Sequence, residues 1–217
     1  MTGLVPRLSR LLLGLFLYAV GIVLTMKANI GFAPWEVFHS GLSKLSGLPI
    51  GTISILTGLA IVLLVALLRE KLGLGTILNM VLIGVFMNVL LAWPGFTPQR
   101  SWLLGFPLLL AGLFVIALGS YFYIGSGFGA GPRDSLMVAL TRKTGLPVGV
   151  CRGSIELSAV AIGWLLGGQV GAGTVVSAFA IGLCVQLTFR LLRFDSTLVH
   201  HETLDVTLGF LGRKKQD

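Results

Sequence analysis

GFAPWE at Gly31–Glu36 and GAGPRD at Gly129–Asp134 stand 98 residues apart, and each opens the same local pattern. A glycine breaks the chain, a proline follows three residues on, and an acid comes two residues after that. Proline fits the first position of a helix, where its missing N–H costs nothing. Glu36 and Asp134 then fall in the first turn, where the helix dipole favours a negative charge. Lys44, Arg142 and Lys143 fall in the last turn, Gly47 and Gly145 suit a C-terminal cap, and Pro49 and Pro147 forbid continuation. The spacing predicts two short helices, Pro34–Ser46 and Pro132–Thr144. Each is about 20 Å long at 1.5 Å per residue, too short to cross a bilayer. Trp35, Phe38 and Leu42 in one, and Leu136, Met137 and Leu140 in the other, give each an apolar side. Such helices lie at the membrane interface or dip into it as half-helices.

Outward from these elements the chain repeats itself. With the same shift, GLFLYAVG at Gly14–Gly21 meets GLFVIALG at Gly112–Gly119, and SGLPIG at Ser46–Gly51 meets TGLPVG at Thr144–Gly149. GLGT at Gly73–Thr76 meets GAGT at Gly171–Thr174, and Ile83–Gly84 meets Ile181–Gly182. About 21 of 78 aligned positions are identical, without a gap. Shared apolar composition raises chance matches between membrane segments, but it does not put glycines and prolines in register.

Six segments are apolar and long enough to span roughly 30 Å of hydrocarbon: Leu8–Met26, Thr52–Leu68, Thr76–Trp93, Trp102–Tyr123, Val148–Leu166 and Thr174–Leu192. With 55% hydrophobic and 11% charged residues and a mean hydropathy of +0.95, the 217-residue chain has more apolar surface than a soluble core could bury. Arg7 and Arg10 ahead of the first run resemble a signal peptide, but no small-x-small cleavage site follows, so this run reads as the first span. The net charge of +8 sits in short segments between the apolar runs, including Arg213, Lys214 and Lys215. That pattern belongs to topology signals and anionic lipid contacts, not to nucleic-acid binding. With the N-terminus inside, the inside segments carry Arg7, Arg10, Arg69, Lys71, Arg133, Arg142 and Lys143, with Arg152 a further candidate, and then Arg190, Arg193 and the tail cluster. The outside segments carry only Lys27, Lys44 and Arg100. The expectation is a multi-pass protein of the bacterial cytoplasmic membrane with both ends in the cytoplasm.

The fold expected is therefore all-α: a polytopic bundle of six spans, arranged as two three-helix repeats, 1–97 and 98–193, each with an extra half-helix. A polar cytoplasmic tail occupies 194–217. Three spans per copy is an odd number, so the second copy enters the membrane from the opposite side. This is an inverted-topology repeat about a pseudo-two-fold axis in the membrane plane.

Broken, Gly/Pro-interrupted segments at matching places in two halves point to a transporter's binding site, and helix N-termini attract anions. The candidate substrate-binding set is Gly31, Pro34, Glu36, Gly129, Gly131, Pro132, Arg133, Asp134, Arg152 and Glu156. For Glu36 and Asp134 the alternative is a purely capping role. Arg152 and Glu156 stand four apart on the fifth span and share a helix face. They form either an internal ion pair or a substrate- or proton-coupling carboxylate with its partner, and their first-copy counterparts, Ser54 and Gly58, are neutral. His39, one turn after Glu36, reads as interfacial. Cys151 and Cys184 read as packing residues, and His200–His201 as part of a solvated tail. Glycine pairs such as Gly14 and Gly21, Gly112 and Gly119, or Gly163 and Gly167 read as close helix contacts. No nucleophile–base arrangement, phosphate-cradling loop or HExxH occurs, and GFGAGP follows a membrane helix, not a strand. Neither catalytic residues nor a metal or cofactor is expected, and the chain is not expected to be an enzyme.

GFAPWEVFHSGL at Gly31–Leu42, GAGPRDSLMVAL at Gly129–Leu140 and RGSIELSAVAIGWLLGGQVGAGT at Arg152–Thr174 resemble the YczE/YyaS/YitT family of bacterial membrane proteins, the YczE-like branch most. The resemblance runs from about Leu12 to Leu192. It implies a multi-pass protein of the cytoplasmic membrane, with a link to secondary-metabolite production for a member, and it carries over no binding residues. Longer relatives add a soluble C-terminal domain, for which no room is expected here. Glu36 stands where the family pattern suggests Asp. The leading functional expectation is a permease-like transporter of a small anionic or amphipathic solute. The alternatives are a non-transporting scaffold or accessory factor for a larger assembly, and a membrane-embedded enzyme acting on lipid, for which no reactive constellation exists. Expected partners are the lipid bilayer, the solute, and a second copy or another membrane protein.

Overall fold

The computed structural model describes residues 3–70, 72–199 and 202. Lys71, His200, His201 and the basic end at Arg213–Lys215 lie outside the described residues. Among those described, the chain is all-helical. Six helices are long and apolar enough to cross a membrane: α1 (Leu4–Lys27), α3 (Ile50–Leu67), α4 (Leu74–Ala92), α5 (Trp102–Ile124), α7 (Val148–Leu165) and α8 (Ala172–Leu191). Two short helices, α2 (Pro34–Ser46) and α6 (Pro132–Thr144), fall at the bounds that the sequence predicts. The spans shift by a few residues. The first begins at Leu4 instead of Leu8, because Pro6 sits in the first turn, where no N–H is missed. Gly47 and Gly145 close α2 and α6 in the left-handed conformation (φ 73° and 70°), and Pro49 and Pro147 sit just ahead of α3 and α7.

The centre of the bundle is the crossing of α1 and α5. A Cβ on Gly14 would come within 2.9 Å of the Gly119 carbonyl oxygen, and one on Gly119 within 2.8 Å of that of Gly14. One on Gly21 would come within 2.7 Å of the Gly112 oxygen, and one on Gly112 within 2.9 Å of that of Gly21. Numbers rise along one helix as they fall along the other, so the two helices are antiparallel. Without a hydrophobic driving force between helices in lipid, such backbone approach supplies the packing attraction directly. Leu11, Leu15, Ala19, Leu109, Leu113 and Ala117 bury completely or nearly so around it.

The loops obey the same exchange. Gly31 (φ +112°) lies on the backbone of Gly171, and Gly129 (φ +115°) on that of Gly73. Gly173 N–H donates to the Ile30 carbonyl at 2.7 Å, and Gly75 N–H to the Phe128 carbonyl at 2.7 Å. Each contact has a mate in which the two copies trade places. The short helices cross over as well: α2 packs on α7 and α6 on α3. Gly163 receives Val37 and Phe38 of α2. Gly167, paired with it in the sequence reading, is not a packing residue. Its φ is +84° and nothing approaches its Cβ position, so it ends α7 instead. Ion pairs tie the ends: Arg142 to Glu70 at 2.9 Å, and Arg7 to Glu202 at 2.6 Å with its guanidinium over Phe128. Arg7 therefore serves an internal contact besides the charge bias.

The α1–α5 crossing yields a direct test. Gly119→Leu forces a side chain into the backbone of α1, at a cost of about 1–3 kcal/mol or more. It should lower the melting temperature of the detergent-solubilised protein sharply or prevent its accumulation. Gly153→Ala, where nothing lies within 4 Å, should leave the melting temperature unchanged or raise it slightly.

Candidate functional site

α2 follows the end of α1 and α6 follows the end of α5, so in an antiparallel pair these helices begin from opposite ends of the bundle. Their first turns nevertheless meet. The Arg133 guanidinium at the start of α6 lies 4.7 Å over the Trp35 ring and 3.6 Å from Glu36 Oε1 at the start of α2. Both N-termini must therefore point inward to the middle of the bundle, while Lys44 at the far end of α2 donates to the Gly167 carbonyl at 2.7 Å. The first turns of both short helices thus lie together inside the bundle.

Between them lies a cavity of about 220 Å³ lined by residues from all eight helices. That is below the roughly 300–1,000 Å³ that holds a drug-sized ligand, so it suits a solute of few atoms with its water. Tyr18 at the midpoint of α1, Trp35, His39, Tyr123, Arg133, Asp134, Arg152 and Glu156 form its polar wall. A smaller adjoining recess adds Pro34, Glu36, Ser177 and Ala178. The wall is built of opposed charges. Arg152 Nε donates to Glu156 Oε1 at 2.9 Å, one helical turn apart and half-exposed. Glu36 is 4% exposed, and its contact with Arg133 is longer than a hydrogen bond. Burial pushes the Glu36 carboxyl up from its ordinary value, and Arg133 opposes that shift. Burial, aided by the Arg133 charge, holds His39 well below the usual imidazole range.

The structure gathers Pro34, Glu36, Gly131, Pro132, Arg133, Asp134, Arg152 and Glu156 around this one space. Gly31 and Gly129 do not line it. They carry the positive-φ turns that press each loop against the opposite copy. His39 is not interfacial: it is 1% exposed, and its side chain reaches the cavity between Trp35 and Phe38. Cys151 and Cys184 are buried, as packing residues should be. Four of these wall groups lay outside the sequence set: Tyr18, Trp35, His39 and Tyr123. The signal for Tyr18 and Tyr123 was an aromatic with a polar tip in mid-span or near a span's end. Trp35 was flanked by two residues already singled out. The Tyr123 hydroxyl and His39 Nδ1 are buried and accept or donate no hydrogen bond among the described residues. Buried polar groups of this kind call for a partner, water or solute.

Arg133 carries a stability prediction. Arg133→Gln leaves the buried Glu36 charge without its counter-ion and should cost about 1–3 kcal/mol, read as a lower melting temperature in detergent. Adding Glu36→Gln removes the stranded charge and should recover most of the loss. An additive double variant would mean that the pair is not coupled.

Residues 5–190 match a family of unknown function (DUF6198). The chain is 37% identical over 81% of both chains to an uncharacterized membrane protein, YczE, of Bacillus subtilis. It is 35% identical to an uncharacterized protein of Haemophilus influenzae, over 85% of this chain and 84% of that one. It is 23% identical to the uncharacterized protein YyaS of Bacillus subtilis, over 81% of this chain and 88% of that one. No solved structure matches it. With the match running through all six spans and both half-helices, the chain is a membrane protein that belongs to this family of unknown function.

Proposed function

We propose that the protein carries a small anionic or amphipathic solute across the bacterial cytoplasmic membrane, and that it is not a catalyst. The observation that carries this reading is the central cavity where the first turns of two half-helices converge. Helix N-termini supply positive partial charge to an anionic group, and Arg133 and Arg152 supply full charge. Trp35, Tyr18 and Tyr123 offer apolar surface with polar tips, suited to an amphipathic body. Asp134 and Glu156 are the carboxylates that could couple the movement to a cation or proton. The copy-exchanged contacts of α1 with α5, and of Gly31 with Gly171 against Gly129 with Gly73, support an inverted-topology repeat. In such repeats solute sites lie near the midplane between the halves. The distribution of Lys and Arg supports both ends in the cytoplasm.

The test is uptake by liposomes that contain the purified protein, screened with small carboxylates, phosphates and zwitterions. A transported solute should show uptake above empty liposomes, and Asp134→Asn should reduce it about tenfold or more while the protein's membrane level stays the same. That is the worth of one hydrogen bond to a charged group. Folded protein that moves no solute in the screen contradicts transport and favours an accessory role in a larger assembly. Loss of the protein on Asp134→Asn would assign that residue to capping α6.

A further inference from the structure

Every helix contact described so far has a copy-exchanged mate, with one exception. α3 packs on α4, but α7 and α8, the equivalent pair, do not pack along their lengths. In the first copy Gly51 and Gly84 press backbone to backbone, so closely that a Cβ on either would overlap the other's carbonyl oxygen. Their counterparts, Gly149 and Gly182, are also glycines, yet nothing lies within 4 Å of either Cβ position. A glycine pair with no contact to explain it is a contact that this conformation does not make. Cavity-lining side chains stand on both sides of the gap, Arg152 and Glu156 on α7 and Ile181 on α8.

We infer that α7 and α8 are the two leaves of a gate to the central cavity, captured open, and that they close through Gly149 and Gly182 as α3 and α4 close through Gly51 and Gly84. Resting on the transport reading above, this makes the structure one of two states related by exchange of the two copies: closed where α3 begins, open where α7 begins. Side-chain sizes fit the motion. In the closed pair Met80 of α4 fills the space over Gly58 of α3. In the open pair the sizes are reversed, with Glu156 on α7 and Ala178 on α8, so closing lays Glu156 over a small residue. The Glu156 carboxylate then changes its surroundings as the gate moves, which ties the gate to the charge of the cavity wall.

The latch chemistry explains which leaf pair is open. Asn88 of α4 accepts from the Gly51 N–H at 2.9 Å and donates to Thr52 Oγ1 at 2.9 Å. The counterparts are Gln186 and Val150. Val150 has no acceptor side chain, so half of that latch is missing in the second copy, and its leaves part more readily.

The experiment is disulfide trapping in native membranes, with Cys151 and Cys184 replaced by alanine. Thr52→Cys with Asn88→Cys should cross-link at once, since those side chains touch. Val150→Cys with Gln186→Cys lies across the open gap and should cross-link more slowly but substantially, as the gate visits its closed form. Gly182→Leu fills the closing surface and should abolish the second cross-link while leaving the melting temperature unchanged, because nothing occupies that space in the open form. The inference is overturned if the second pair never cross-links while the first does, or if Gly182→Leu leaves that cross-link intact. Cross-linking reads the gate and liposome uptake reads the transport, so each can fail without the other. A gate that cross-links in a protein that moves no solute would count against the function alone.

Discussion

The rest of the structure hangs on the approach of two backbones at Gly14–Gly119 and Gly21–Gly112. In a bilayer the hydrophobic effect does not draw helices together, so α1 and α5 hold by van der Waals contact at a distance that only glycine permits. That crossing puts the two copies head to tail. It sends the loop after α1 and the loop after α5 to opposite ends of the bundle. It also places Tyr18 at the middle, with a half-helix arriving from each end. The cavity is a consequence of this geometry: neither copy alone surrounds it.

The half-helices turn that geometry into chemistry. A helix that ends inside a bundle leaves N–H groups unpaired by its own backbone, and a first-turn acid or a nearby solute can take them. The two copies solve the problem differently. In α2 the acid, Glu36, is shut away from solvent beside Arg133, which comes from the other half-helix. In α6 the acid, Asp134, stands exposed at the cavity. The centre is therefore chemically asymmetric between the equivalent positions, as Ser54 and Gly58 against Arg152 and Glu156 already indicate.

Much of this was legible in the sequence because local rules decide it. Proline at N1, an acid in the first turn, glycine at the cap and proline beyond it bounded α2 and α6 without reference to any neighbour. Apolar run length gave the six spans to within a few residues. What local rules do not reach is which residues from distant parts of the chain meet. His39 read as interfacial because α2 packs chiefly on α7, far away in the chain. Gly31 and Gly129 read as site residues because they adjoin the half-helices, whereas their positive φ and their seats on Gly171 and Gly73 make them hinges of the loops. The open gap at α7 and α8 was invisible for the same reason: Gly149 and Gly182 align perfectly with Gly51 and Gly84, and only the fold shows that one pair touches and the other does not.

The head-to-tail arrangement can be measured in cells. Leu45 and Lys143 are equivalent, exposed positions near the outer ends of the two half-helices. With Cys151 and Cys184 replaced, Leu45→Cys and Lys143→Cys would each be challenged with a membrane-impermeant thiol reagent before and after permeabilisation. The account requires Leu45→Cys to label from outside intact cells and Lys143→Cys to label only once the membrane is opened. Labelling of both positions from the same side would contradict it, because two half-helices on one side cannot belong to copies that cross the membrane in opposite directions.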